Sequence, residues 1–395
     1  VVATFVWGTY FTRAIMRAPD EGPAAWGAAL SISGLAVAVL GPALGAIADR
    51  VGRRKPWLSA FAGLCIGATA LLWFSVPQAD KATQTLILVA LSSIAYEFGL
   101  VFYNAMLRGL APEAYLGRIS GWGWGLGYIG GLCCLAVALF GLVRAPVPPF
   151  GLDAAEAGPV RATALLVALW LAIFAVPLFA LVPDARVRET SIRAAVRAGL
   201  GDLVRNLRAL PDRPHILRFL IARMIYADGL NTLFIFGGIY ASGIIGLNLD
   251  EVILFAIAIN ATAGVGALLF AWVDDWVGSK PTIVISLVCL VALGAAVLAV
   301  QSKPWFWVLG VALGVFVGPV QAASRTLMAR MAPAGMENEM FGLYALSGKI
   351  TAFIGPALYG WATAHFASQR AGMASVVAFL VLGLALLLTV KVPSA

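Results

Sequence analysis

Apolar positions in this chain run together instead of alternating. Twelve stretches, each roughly 20 residues long, are nearly free of charge, and short segments rich in Gly, Pro, Arg, Lys and Asp separate them. A helix of that length rises about 30 Å, enough to cross a hydrocarbon core. The predicted spans are 1–17, 24–48, 57–76, 84–108, 118–142, 161–182, 215–242, 250–272, 281–300, 304–328, 339–363 and 371–391. Trp57, Trp73, Trp305 and Trp307 fall at span ends, where amphipathic rings favour the interface. Val1 already lies inside an apolar run, without a basic segment or cleavage site before it. The first helix is therefore expected to start upstream of Val1.

Composition agrees with the pattern. The chain is 61% hydrophobic and 12% charged, with 42 glycines in 395 residues. A water-soluble fold could not cover that much apolar surface. The net charge of +8 is spread unevenly between alternate loops. One set holds Arg50, Arg53, Arg54, Lys55, Arg108, Arg118, Lys280 and Arg330; the opposite set holds Arg13, Arg17, Lys81, Arg144, Arg161, Lys303 and Arg370. The longest link, 183–214, lies on the first side and adds Arg186, Arg188, Arg193, Arg197, Arg205, Arg208 and Arg213. Loops with excess Arg and Lys stay cytoplasmic, so this side is expected to be the inner one, with both termini inside and the protein in the cell (inner) membrane. The charge then serves topology and anionic lipid rather than nucleic acid. Within the link, Ile192, Val196, Leu200, Leu203, Leu207 and Leu210 recur at helical spacing, which predicts an amphipathic helix on the inner leaflet.

The two halves repeat. Asp49-Arg50-Val51-Gly52-Arg53-Arg54-Lys55-Pro56 returns as Asp275-Trp276-Val277-Gly278-Ser279-Lys280-Pro281. Ala111-Pro112 precedes Gly121 at the same spacing as Ala332-Pro333 precedes Gly342. Duplication predicts an all-α membrane protein of two six-helix bundles, 1–182 and 215–395, joined by 183–214, with a path between them.

The chain resembles transporters of the major facilitator superfamily, and within it the group holding bacterial UMF1-type transporters and the fungal vacuolar effluxer Atg22. The segments that carry the resemblance begin with Trp7–Arg13, Gly45–Arg50 and Glu97–Ala105. Ser120–Gly125, Asp228–Thr232 and Gly318–Arg325 complete it. It implies a transporter of a small metabolite working by alternating access, with amino acids as the leading class and efflux or exchange as the mode. A sugar–cation symporter and a lysolipid flippase are the alternatives on the same bundles, and a sensor that binds without transporting is a third class. It also implies a gating role for the charged turns, Asp49, Arg50, Gly52, Arg53 and Arg54 in one half and Asp275, Gly278 and Lys280 in the other. Asp49 is expected to meet basic groups and a helix end across the bundle.

Polar groups at membrane depth are the candidates for cargo and coupling ion, because an unpaired charge there costs roughly 2.5–3.5 kcal/mol even on lenient scales. They are Glu97, Asn104, Asp228, Asn231, Gln321, Arg325 and Lys349. Glu97, Val101, Asn104 and Arg108 share one helical face, and Asp228 and Asn231 are expected to share another. A carboxylate in a low-dielectric path can take up and release a proton as access alternates, so Glu97 first and Asp228 second are the expected proton carriers. A fixed pair with Lys349 is the bland alternative. Gly41-Pro42, Gly318-Pro319 and Gly355-Pro356 are expected to interrupt spans two, ten and eleven.

Other chemistry finds little material. Gly125-Leu126-Gly127-Tyr128-Ile129-Gly130 matches a dinucleotide fingerprint by letter but lies inside an apolar span with no strand before it. A Walker motif, a Ser/His/Asp set and metal-ligand cysteine spacing are all missing from the sequence. The expectation is a non-enzymatic protein that needs no cofactor or metal and functions as a monomer.

Overall fold

Helices account for nearly all of the computed structural model, which describes residues 6–17, 21–184 and 192–391. Arg186 and Arg188 of the basic link lie outside the described residues, as does the side chain of Arg193. The first half comprises α1 (Gly8–Tyr10, continued by π-helical turns Phe11–Met16), α2 (Glu21–Val51), α3 (Lys55–Leu71), α4 (Ala82–Met106), α5 (Leu116–Ala136) and α6 (Gly158–Leu181). The link forms α7 (Ile192–Arg208). The second half comprises α8 (Pro214–Gly243), α9 (Leu249–Val277), α10 (Ser279–Ala299), α11 (Lys303–Met331), α12 (Glu337–Ser347), α13 (Ile354–His365) and α14 (Gln369–Leu388). Ten helices among the described residues are long and apolar enough to span a membrane. The eleventh predicted span is split into α12 and α13, and α1 belongs to the first.

The prolines act differently from expectation. α2 runs through Pro42 and α11 through Pro319 without interruption. Pro319 leaves the carbonyl of Val315 without its helical partner. Gly266 of α9 packs on that oxygen so closely that a Cβ would lie 1.8 Å from it, so only glycine fits. The break falls instead at 348–353, before Gly355-Pro356. Isolated turn bonds such as Lys349 N to Leu346 O and Ile354 N to Thr351 O replace the helical ladder there.

The link helix has two faces. Ala195 and Gly199 are buried, and a Cβ on Gly199 would meet the Ile47 backbone of α2 at 2.8 Å. Leu200, Val204 and Leu207 are exposed on the other side. α7 therefore docks through small residues onto α2 and leaves Leu200, Val204 and Leu207 uncovered.

Between the halves, α2 packs on α12 and α5 on α9. Both seams need glycine. A Cβ on Gly45 would lie 2.3 Å from the Asn338 carbonyl, and one on Gly342 would lie 2.7 Å from that of Gly41. In the other seam a Cβ on Gly121 would lie 2.6 Å from the carbonyl of Ala267. Gly41 stands eight residues before Asp49 and Ala267 eight before Asp275, so the seams are two copies of one contact.

Candidate functional site: a closed basic end and a charged break in the membrane

The charged turns lie where these seams meet the basic loops. Gly52 (φ 87°) and Gly278 (φ 91°) reverse the chain in a region that L side chains avoid. Asp49 is buried and caps α12 across the bundle. Its Oδ1 accepts from the Asn338 backbone at 3.1 Å and side-chain amide at 2.7 Å, and its Oδ2 accepts from the Glu339 backbone at 2.8 Å. These first-turn N–H groups have no helical partner and carry the positive end of the helix dipole. Asp275 does the same for α5: its Oδ1 accepts from the Arg118 backbone at 3.2 Å, and its Oδ2 pairs with the Arg118 guanidinium at 3.3 Å. Each half thus caps the fifth helix of the other.

The rest of the turn reinforces closure. Arg54 meets Glu337 at 3.0 Å, Arg50 pairs with Asp202 of α7, and Asn206 of α7 donates to Glu339 at 2.9 Å. Arg53 approaches Asp184 at 3.9 Å, and Asp184 accepts from the backbone of Arg54 at 2.9 Å. A cavity of about 350 Å³ lies among Asp49, Arg50, Asp202, Asn206 and Glu339. Arg330 holds Asp274 at 3.0 Å, and Arg108 donates to the carbonyl of Ala332. Lys280 is placed elsewhere: its Nζ donates to the Leu388 and Val390 carbonyls and so caps α14 within its own half. A lysine in the repeated motif need not share the motif's partner.

Deeper in the bundle, Glu97 of α4 meets Lys349 at 2.7 Å, joining the halves, and the two side chains remain 26% and 35% exposed. Lys349 sits in the break, not within a continuous helix as the sequence suggested. Arg325, buried in α11, donates to the Ser120 hydroxyl at 2.9 Å, the Ser120 carbonyl at 2.7 Å and Asn104 at 3.3 Å, beside the Tyr103 ring. The polar stripe on α4 (Glu97, Asn104 and Arg108) reaches the opposite half at all three positions, while Val101 between them is buried. Gln321 lies beside Tyr128.

Both new helix ends at the break are held by α8. Arg223 donates to the Tyr344 carbonyl and Ser347 hydroxyl of α12, both at 2.7 Å, with its guanidinium 3.4 Å over the Tyr344 ring. Asp228 accepts from the Gly355 backbone of α13 at 3.1 Å, and its other oxygen is buried without a partner. Cation at the carbonyl end and anion at the amide end match the helix dipoles. Asp228 and Asn231 do not share a surface: Asp228 is 2% exposed and turned to α13, whereas Asn231 is exposed. Reading the sequence missed Arg223, although a lone arginine nine residues into an apolar span was a usable signal. It also missed Asn338, Glu337, Asp202 and Ser120, which act through distant partners.

Solved structures share the fold. The proton:xylose symporter XylE superposes with a TM-score of 0.75 at 15% identity, covering 99% of this chain and 92% of that one. The E. coli fucose:proton symporter FucP gives 0.70 at 13%, covering 99% and 98%. At such identity the likeness establishes the fold alone; the class, a multi-pass membrane transporter of the major facilitator superfamily, rests on the family and relatives that follow. Within that class the chain belongs to the vacuole effluxer Atg22-like family, whose pattern matches residues 27–395. The uncharacterized MFS-type transporter YxiO of Bacillus subtilis is 24% identical over 394 residues, covering 98% of this chain and 90% of the relative. Autophagy-related protein 22 of Cryptococcus neoformans is 26% identical over 264 residues, and the match spans 62% of this chain and 45% of the fungal protein, about half its length.

Proposed function

We propose that this transporter moves a small metabolite, with amino acids the leading class, by proton-coupled alternating access between bundles 1–182 and 215–395. The observation that carries the reading is the Glu97–Lys349 pair, an ion pair joining the halves at membrane depth while partly open to solvent. A coupling pair must be reached by cargo and proton, and the partial exposure of both side chains allows it. With the basic end cytoplasmic and both termini inside, the closed end seals the inner face and cargo enters from outside. Residues 183–214 then bridge the bundles, with the uncovered Leu200, Val204 and Leu207 resting on the anionic inner leaflet of the cell membrane. Asp49, Arg50, Gly52, Arg53, Arg54, Asp275 and Gly278 form the inner gate, and Asn104 and Arg325 fasten it. The whole path lies within one chain, so the working unit is a monomer.

In proteoliposomes, Glu97→Gln is expected to abolish uptake driven by a pH gradient while substrate counterflow continues. Unchanged pH-driven uptake in that variant removes Glu97 from coupling.

A further inference from the structure

The charges around the helix break do not balance. Lys349 has Glu97. Arg223 is held by a carbonyl, a hydroxyl and a ring, all neutral. Arg325, 5% exposed, is likewise held by a hydroxyl, a carbonyl and an amide oxygen. Among the described residues, neither guanidinium has a carboxylate within ion-pair distance, and Asp228 is turned into the first turn of α13. Three cations therefore face one available carboxylate.

Two of these cations are neighbours. A Cβ on Gly348 would lie 3.0 and 3.2 Å from the two terminal nitrogens of Arg223, so the guanidinium lies directly against the residue preceding Lys349. Arg223 and Lys349 are both partly buried, so a planar donor and a mobile ammonium come from adjoining positions at the break. Paired donors of this kind suit a planar or tetrahedral oxyanion.

We infer that the cargo presents an oxyanion, a carboxylate or a phosphate ester, that displaces Glu97 from Lys349 and is held by Lys349 and Arg223 together. This deepens the transport reading above and rests on it. The displaced Glu97 loses the cation it pairs with and takes a proton, so anion and proton enter as a neutral pair. Glu97 is then the competitor of the cargo, not its partner, and that has a distinctive consequence: removing its charge tightens anion binding.

The experiment uses the full chain in lipid nanodiscs and reads saturable thermal stabilisation and calorimetric binding. The probes are L-leucine, its deaminated acid 4-methylpentanoate, its decarboxylated amine isoamylamine, and glycerol 3-phosphate. Either 4-methylpentanoate or glycerol 3-phosphate is expected to bind, the tighter one naming the oxyanion, while isoamylamine does not. Lys349→Gln and Arg223→Gln should each weaken the anion about ten-fold or more, the loss of one charge-assisted contact. Glu97→Gln should tighten it several-fold. Arg223 also caps α12, so Lys349→Gln, which disturbs no helix end, keeps the test sound if Arg223→Gln fails to fold. Equal binding of isoamylamine, no binding of either anion, or weaker anion binding in Glu97→Gln would overturn the inference. Anion binding without any proton-coupled flux in proteoliposomes would leave the oxyanion site standing and remove the coupled-transport reading instead.

Discussion

A hydrogen atom at Gly45 decides whether α2 and α12 can touch. The Asn338 carbonyl occupies the place of a Cβ at 2.3 Å, and the obstacle is backbone, which cannot swing aside. Overpacking of this kind costs roughly 1–3 kcal/mol, and here the cost falls only on the state in which the basic end is closed. Gly45→Val is therefore expected to lower the closed population about 5- to 100-fold relative to the open one. Spin labels at exposed Arg53 and Trp276 would report it as a longer distance distribution across that end. Gly34→Ala, in the same helix with nothing within 4 Å, should leave the distribution unchanged and slightly stabilise the helix. An equal effect of the two changes would mean that the glycines matter through helix propensity and not through the seam. Asp49 stood out in the sequence because its motif repeats, and the resemblance implied its gating role. Gly45 did not stand out, since its partner lies in the other half of the chain and only the packing brings them together.

At the scale of the helix, a proline costs one backbone bond, yet only one of the three Gly-Pro pairs within spans, Gly355-Pro356, accompanies a break. Pro42 and Pro319 stay within continuous helices. At 348–353 both severed ends find charged partners on α8, Arg223 for the carbonyls and Asp228 for the amides. Breaking is tolerated where the new ends are satisfied. Hydropathy made the spans legible, but it could not show this break because 350–354 is as apolar as any span. α7 presents a similar lesson: its periodicity was plain, but its docking face is made of Ala195, Gly199, Asp202 and Asn206, residues that an apolar count ignores. Hydrogen bonding from Arg50, helped by Arg205, holds the Asp202 carboxyl below its usual value. A depressed pKa stabilises docking at any pH above the free carboxylate's value of about 3.9, and the contribution disappears as pH falls through the lowered folded value. A spin label at exposed Arg208 should thus stay immobile from neutral pH down to about 4 and gain mobility only as the pH falls further, through the lowered folded value. Asp202→Asn should show the mobile spectrum already at neutral pH. A label that is equally immobile in that variant would place the docking in the Gly199–Ile47 contact alone.

Over the whole molecule, the duplication recurs as a pair of interlocking caps. Asp49 of the first half holds the start of α12, and Asp275 of the second holds the start of α5. The glycine contacts eight residues earlier repeat the same exchange. Closure is therefore a two-point fastening across a pseudo-two-fold axis, and the two fastenings share no residue. That arrangement makes a quantitative demand. Each carboxylate supplies charge-assisted bonds to backbone amides, worth about 1.5–3 kcal/mol, and nothing comparable forms once the halves part. Independent sites without common partners add. Asp49→Ala and Asp275→Ala should each shift the closed–open equilibrium about ten-fold or more towards open, and the double variant should show the product of the two shifts. The Arg53–Trp276 label pair reads all three populations in one series. If Asp49→Ala opens the end while Asp275→Ala leaves it closed, the second motif survives as a turn only, with Arg330 and Asp274 holding that seam instead. If the double variant equals either single one, the two caps release together, and the basic end is a single cooperative latch.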